Sequence, residues 1–240
     1  MNIIIMAHGN QNRWFENLWE PERLDETITE YSVRMRRIRK KQLSISAKHL
    51  LPIRNQPLLK RTIDLFAPYG DITVFAWKEY EKHIDYPCST IHPVKSLLDG
   101  ILQTRGSWGD KTVFLLGDVL FSRQAVSDIV KINELRFFGR PGPNRVSGKA
   151  GKELFGFTMM REDWDQVIEY CELVIVKQKK LKCLSNLWAL YRLCCGNECH
   201  QDIIDLKLLE VIDDYTDDID SPQAYNQFWD SMIGAELDDN

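Results

Sequence analysis

Long apolar runs are absent from this chain. None approaches the roughly 20 residues that cross a bilayer as a helix, and the first of them, Ile3-Ile4-Ile5, has no basic lead-in and is too short for the apolar core of a secretory signal. Charge of one sign is scarce too: 31 Lys and Arg against 35 Asp and Glu leave a net −4. That balance gives no general attraction to nucleic acid or to an anionic membrane. Cysteine is sparse, with six residues (Cys88, Cys171, Cys183, Cys194, Cys195 and Cys199) spread over 240, which excludes a small disulfide scaffold. The cluster Cys194-Cys195-Gly-Asn-Glu-Cys199-His200 lacks a second CxxC half, and adjacent cysteines rarely share one tetrahedral ion, so it reads as reduced thiols near a helix end. There is no internal repeat and no low-complexity tract. The expectation is a cytoplasmic protein with no membrane and no nucleic-acid partner.

What is present suits an enzyme. Hydrophobic residues make up 44% and charged residues 28%, enough to bury the core of one α/β domain spanning 1–240. Residues 2–6, 72–76, 112–116, 135–138 and 154–159 are short apolar runs that read as strands. Between them, Leu58, Leu59, Thr62, Ile63 and Phe66 have helical spacing behind Pro57, Ser96 opens a helix through Leu102, and residues 123–131 form another. Strands alternating with helices imply a doubly wound, mainly parallel mixed sheet flanked by helices. Residues 14–47 read as an extended insertion with a short helix around 23–40, and 160–240 as a mainly helical C-terminal portion. Its apolar residues Leu187, Trp188, Leu190, Tyr191 and Leu193 would cover the sheet or a second subunit, which leaves a homo-oligomer open.

Two stretches concentrate the chemistry. Asn2-Ile-Ile-Ile-Met-Ala-His-Gly-Asn-Gln-Asn-Arg13 is a β-branched run that breaks into a small polar loop with one arginine. A buried parallel strand presents backbone N–H groups to an anion at its carboxyl end in this way. Lys48-His-Leu-Leu-Pro-Ile53 supplies a second cation just before an apolar segment. Together they suggest a phosphate-handling site in the first quarter of the chain.

In order along the chain, these pieces resemble the nucleotidyltransferase family that activates sugar phosphates and related phosphate esters on a GT-A-like Rossmannoid fold. Met6-Ala-His-Gly-Asn-Gln-Asn-Arg13 is similar to the family's Ala-Ala-Gly-x-Gly-x-Arg loop, and Lys48-His-Leu-Leu-Pro-Ile-Arg-Asn-Gln-Pro-Leu-Leu59 is similar to its Lys-x-Leu-Leu-Pro segment. Val113-Phe-Leu-Leu-Gly-Asp118 looks like the strand that ends in a metal-binding aspartate. Asp218-Ile-Asp220-Ser-Pro-Gln-Ala-Tyr225 looks like the closing Asp-x-Asp-Thr-Pro element.

The resemblance implies transfer of NMP from an NTP to a phosphorylated small molecule, in this family a sugar phosphate, with release of pyrophosphate. It implies nucleotide contacts at Ala7, His8, Gly9, Asn10, Ser96 and Gly117, catalytic charges on Arg13 and Lys48, and Mg²⁺ on Asp118 and Asp220. Arg140-Pro-Gly-Pro-Asn-Arg-Val-Ser-Gly-Lys-Ala-Gly-Lys-Glu153 joins two strands where related enzymes hold the second substrate. Arg140, Lys149 and Lys152 are its candidate phosphate ligands and Glu153 a ligand for a sugar hydroxyl. The chain departs from the family pattern at His8, where alanine is usual, at Gln11, where glycine is usual, and at Ala47, where proline is common. A GT-A glycosyltransferase using an NDP-sugar and a non-catalytic nucleotide-binding subunit are the competing readings. Taken singly the residues also have plainer roles, since Asp118 could cap a helix and the acidic run Asp213 to Asp220 could be a solvated loop.

Overall fold

The structure is a computed structural model that describes residues 1–7, 47–53, 56–90, 96–144, 151–181 and 186–219. In chain order the elements are β1 (Asn2–Ala7), β2 (Pro52–Ile53), β3 (Gln56–Pro57), α1 (Leu58–Phe66), β4 (Asp71–Ala76), α2 (Glu81–Ile84), β5 (Cys88–Ser89), α3 (Leu97–Gln103), β6 (Lys111–Leu116), β7 (Val119–Leu120), α4 (Arg123–Lys131), β8 (Arg136–Arg140), β9 (Glu153–Met160), α5 (Trp164–Leu181), α6 (Leu187–Cys194), β10 (Leu209–Val211) and β11 (Asp217–Asp218). Seven strands form one sheet in the order β10-β8-β9-β6-β1-β4-β5. β1 runs parallel to both β4 and β6, while β9 is antiparallel to β6 and β8. This is the expected α/β Rossmann-like sheet, with one reversed strand.

β1 is apolar at every position from Ile3 to Ala7 because helices cover both of its faces. Ile3, Ile5 and Ala7 pack with Leu59, Ile63, Phe66, Val113, Leu115 and Phe121 on one side. Ile4 and Met6 pack with Leu98, Ile101, Phe114, Phe157 and Tyr191 on the other. Aromatic contacts knit the second layer: the rings of Phe114 and Phe157 stack at 4.6 Å, and Tyr191 meets Phe137 edge-on at 5.3 Å. The apolar residues Leu187, Leu190 and Tyr191 of α6 are therefore spent on this chain's own sheet. No helix among the described residues is long and apolar enough to cross a membrane.

The helical expectation for 160–240 holds through α5 and α6 and needs correction from Cys195 to Ile219, while residues 220–240 lie outside the described residues. From Cys195 to Ile219 the chain is extended or turning, apart from one 3-10 turn at Leu206–Leu208. It contributes β10 to the sheet edge beside β8, and β11 pairs with β7. Strands of three and two residues carry too few positions to show a period of two. The expected helix at 23–40 lies outside the described residues.

Candidate functional site

The parallel strands β1, β4 and β6 end together, and the candidate site is at that edge. Ala7 closes β1, and the turn Gly117-Asp118 follows β6 against it, with the Gly117 N–H donating to the Met6 carbonyl at 2.9 Å. A Cβ on residue 117 would lie 2.8 Å from the Ala7 Cβ and 3.1 Å from the Met6 oxygen. Only glycine lets the turn approach the strand this closely. Gly117 thus acts as a spacing device that sets Asp118 beside the end of β1. His8, Gly9, Asn10 and Arg13, which follow in sequence, lie outside the described residues.

Lys48 reaches the same point from a different element. It starts a 3-10 turn, Lys48–Leu50, held by the Leu50 N–H on the Ala47 carbonyl at 2.7 Å. The Leu58 N–H then bonds the Leu51 carbonyl at 2.8 Å, and the β2–β3 hairpin folds the segment onto the start of α1. Two contacts fix α1 to the segment after β7: Arg61 Nη1 donates to the Phe121 carbonyl at 2.6 Å, and the rings of Phe66 and Phe121 meet edge-on at 5.4 Å. The elements carrying Lys48 and Asp118 are therefore tied together, and the Lys48 ammonium forms an ion pair with Asp118. Their side chains are only 12% and 19% exposed. Burial works to raise the Asp118 carboxyl, but the charges of Lys48 and His49 and the hydrogen bond from Lys48 outweigh it, and the group is held below the usual carboxylate range. His49 is itself buried, with its ring 5.9 Å from that of Tyr80.

The C-terminal segment closes the site from the other side. In β11, Asp217 faces Leu120 and Asp218 faces Val119, and the Ile219 N–H donates to the Asp118 carbonyl at 2.9 Å. Asp220, the next residue, lies outside the described residues. Ser122 anchors this arrangement. Its hydroxyl accepts from Ala125 N at 2.8 Å to cap α4 and donates to Asp214, and its own N–H donates to Thr216 Oγ1 at 2.9 Å. Asp217 is fully buried and Asp218 is 9% exposed. A solvated acidic loop is thereby ruled out for these two residues.

The remaining expected residues separate into two kinds. Ser96 caps α3, with its oxygen accepting from Asp99 N at 3.2 Å, so part of its capacity is structural. Arg140, expected as a phosphate ligand, is buried in an ion pair with Asp217 at 2.8 Å, the two side chains being 5% and 0% exposed. Its other guanidinium nitrogen donates to the carbonyls of Gly142 and Gly151 at 2.7 and 2.8 Å. In this structure the guanidinium braces the two ends of the loop it was expected to serve. Lys149 lies outside the described residues. Lys152 pairs with Asp202, and Glu153, the first residue of β9, is half-buried opposite Arg140. His49, Arg61 and Asp217 were missed as site-forming residues. The only signal for them was their proximity in sequence to Lys48, α1 and Asp220.

Among the described residues no group of three or more His, Cys, Asp or Glu forms a metal cage. Asp118 nevertheless suits a hard divalent ion: it offers a carboxylate held below its ordinary range and ion-paired with Lys48, and Mg²⁺ is commonly held by one or two carboxylates plus ligand phosphates.

No family model matches the sequence, and no curated protein matches it. Solved structures do match over nearly the whole chain. A nucleotidyl transferase from Methanothermobacter aligns with a TM-score of 0.57 at 14% identity, covering 98% of both chains. The CTP:phosphocholine cytidylyltransferase from Streptococcus pneumoniae aligns with a TM-score of 0.53 at 13% identity, covering 96% of this chain and 98% of its own. Rv0371c from Mycobacterium tuberculosis H37Rv aligns with a TM-score of 0.56 at 13% identity, over 96% and 98%. The chain shares the Rossmann-like fold of these structures.

Proposed function

We propose that this chain is a nucleotidyltransferase that moves NMP from an NTP to a phosphorylated small molecule, of the sugar-phosphate kind, and releases pyrophosphate. One observation carries the reading: a mostly buried Lys48–Asp118 ion pair at the carboxyl edge of β1 and β6, where an α/β sheet receives its ligands. In the reaction, an oxygen of the acceptor's phosphate forms a bond to the α-phosphorus of the NTP. The bond from that phosphorus to the bridging oxygen breaks, and the electron pair leaves with pyrophosphate. Both reactants are anions, so the protein's task is to position them and neutralise charge.

Lys48 would donate to a non-bridging α-phosphate oxygen and stabilise the charge that develops there. Arg13 would hold the departing pyrophosphate with its forked donors. The amides from Ala7 through His8 and Gly9 to Asn10 would cradle the phosphates. Asp118 and Asp220 would hold Mg²⁺, which when bound would supply positive charge against the phosphates. Ser96 would line the nucleoside side of the site.

The test measures pyrophosphate release from each of the four NTPs, with Mg²⁺ and a panel of sugar phosphates. Lys48→Ala and Asp118→Ala are each expected to lower the rate by about 100-fold or more, the scale seen on removing one preorganised transition-state contact. Full activity in both variants, or tight NTP binding with no turnover across the panel, would overturn the proposal.

A further inference from the structure

A second group of charges lies at the same edge of the sheet. Glu153, the first residue of β9, faces Arg140, the last residue of β8, and β8 and β6 run the same way because both are antiparallel to β9. Lys152 immediately precedes Glu153. Its ammonium lies 5.5 Å from the centre of the Trp188 ring on α6 and pairs with Asp202. Arg192 stands one turn after Trp188, on the same helical face. It donates through Nη2 to the same Asp202 oxygen at 2.9 Å and through Nη1 to the Cys199 carbonyl at 3.1 Å. Its Nε is buried without a hydrogen-bond partner among the described residues.

The exposures are unequal in an informative way. The side chains of Arg192 and Lys152 are 13% and 27% exposed, whereas that of Asp202 is 73% exposed. Two mostly buried cations thus converge on one oxygen of a carboxylate carried by the exposed coil Gln201-Asp202-Ile203. Among the described residues, the printed ion pairs set one carboxylate, Asp202, against both cations. Burial first, and then the neighbouring Arg192, lower the Lys152 ammonium below its ordinary range. A phosphate dianion would match both charges, meeting the forked donors of Arg192 and the point charge of Lys152 together.

We propose that Lys152, Arg192 and the Trp188 ring form an anion subsite for the acceptor's phosphate, and that Asp202 fills it as an internal carboxylate until the acceptor displaces it. The identity of the anion rests on the nucleotidyltransferase reading; the subsite itself rests on the geometry. Asp202 is then a built-in competitor, and its removal should favour ligand binding.

The experiment is calorimetric titration of inorganic phosphate into the full chain, with thermal melts to confirm folding. Asp202→Asn should bind phosphate about three- to tenfold more tightly than the unmodified protein, the scale of a competing, partly exposed ion pair. Adding Lys152→Met or Arg192→Met to it should erase the gain. Equal phosphate affinity with and without Asp202→Asn, or a gain that survives loss of both cations, would overturn the subsite. A gain that depends on both cations in a chain showing no NTP turnover would sustain the subsite and refute the nucleotidyltransferase reading. Turnover with an acceptor KM indifferent to Asp202→Asn would refute the assignment of the anion to the acceptor.

Discussion

Arg140→Met separates a brace from a ligand. The substitution keeps much of the side chain's apolar length and removes the guanidinium from a pocket where Arg140 is 5% exposed and Asp217 not exposed at all. Removing one partner of a buried ion pair costs about 3–5 kcal/mol. The bonds from the same guanidinium to the carbonyls of Gly142 and Gly151 are lost with it. Against a total stability of roughly 5–15 kcal/mol this is a large fraction. At about 2–4 °C per kcal/mol for a chain of this size, the melting temperature should fall by roughly 6–20 °C.

Urea and thermal unfolding of Arg140→Met, Asp217→Leu and the double variant would measure it. The double variant should recover much of the loss, because it removes both charges of the buried pair together. A surface phosphate ligand behaves differently: Arg140→Met would then leave stability within about 0.5 kcal/mol of the parent and raise only the KM for the acceptor. A melting temperature unchanged within 2 °C, by the same roughly 2–4 °C per kcal/mol scale, would refute the brace.

Two further predictions concern the turn and the ion pair of the site. Gly117→Ala forces a Cβ to within 2.8 Å of Ala7 and should cost about 1–3 kcal/mol through overpacking, read by urea titration; a neutral result would show that the β6 turn can move away from β1. The Asp118 carboxyl is held below its ordinary range, so the stability it contributes is present above the unfolded carboxyl value of about 4 and is lost as pH falls through the lower folded value. The stability difference between the parent and Lys48→Met should therefore shrink between pH 7 and pH 3, and a constant difference would show that Lys48 does not stabilise through this charge.

The readable parts of the fold were those whose signal is local. β1, β4 and β6 are short runs rich in apolar and β-branched residues, α1 has its apolar stripe behind Pro57, and Ser96 opens α3 as a cap should. Each of these is decided within about ten residues. β10 and β11 were not legible, since their place depends on partners at Phe137 and Leu120 far back in the chain. The same distinction governs the charges. Arg140 sits in a Gly- and Pro-rich stretch that reads as a basic loop, and nothing near it in sequence announces a carboxylate 77 residues away.

Lys48 and Asp118 were read from motif context, yet what makes them a pair comes from residues without motif character. Arg61 on the Phe121 carbonyl and Phe66 on the Phe121 ring hold the segment before α1 against the segment after β7. His49 adds its charge to the carboxylate from a buried position. A motif names the reacting groups because their chemistry restricts residue type. The scaffold that aims them only has to fill space and satisfy donors, and many residue types can do that. The supporting shell is therefore the part of this site that a sequence shows least, and a substitution such as Arg61→Met, which touches neither Lys48 nor Asp118, would loosen their pairing by removing one of the two contacts that hold α1 to Phe121.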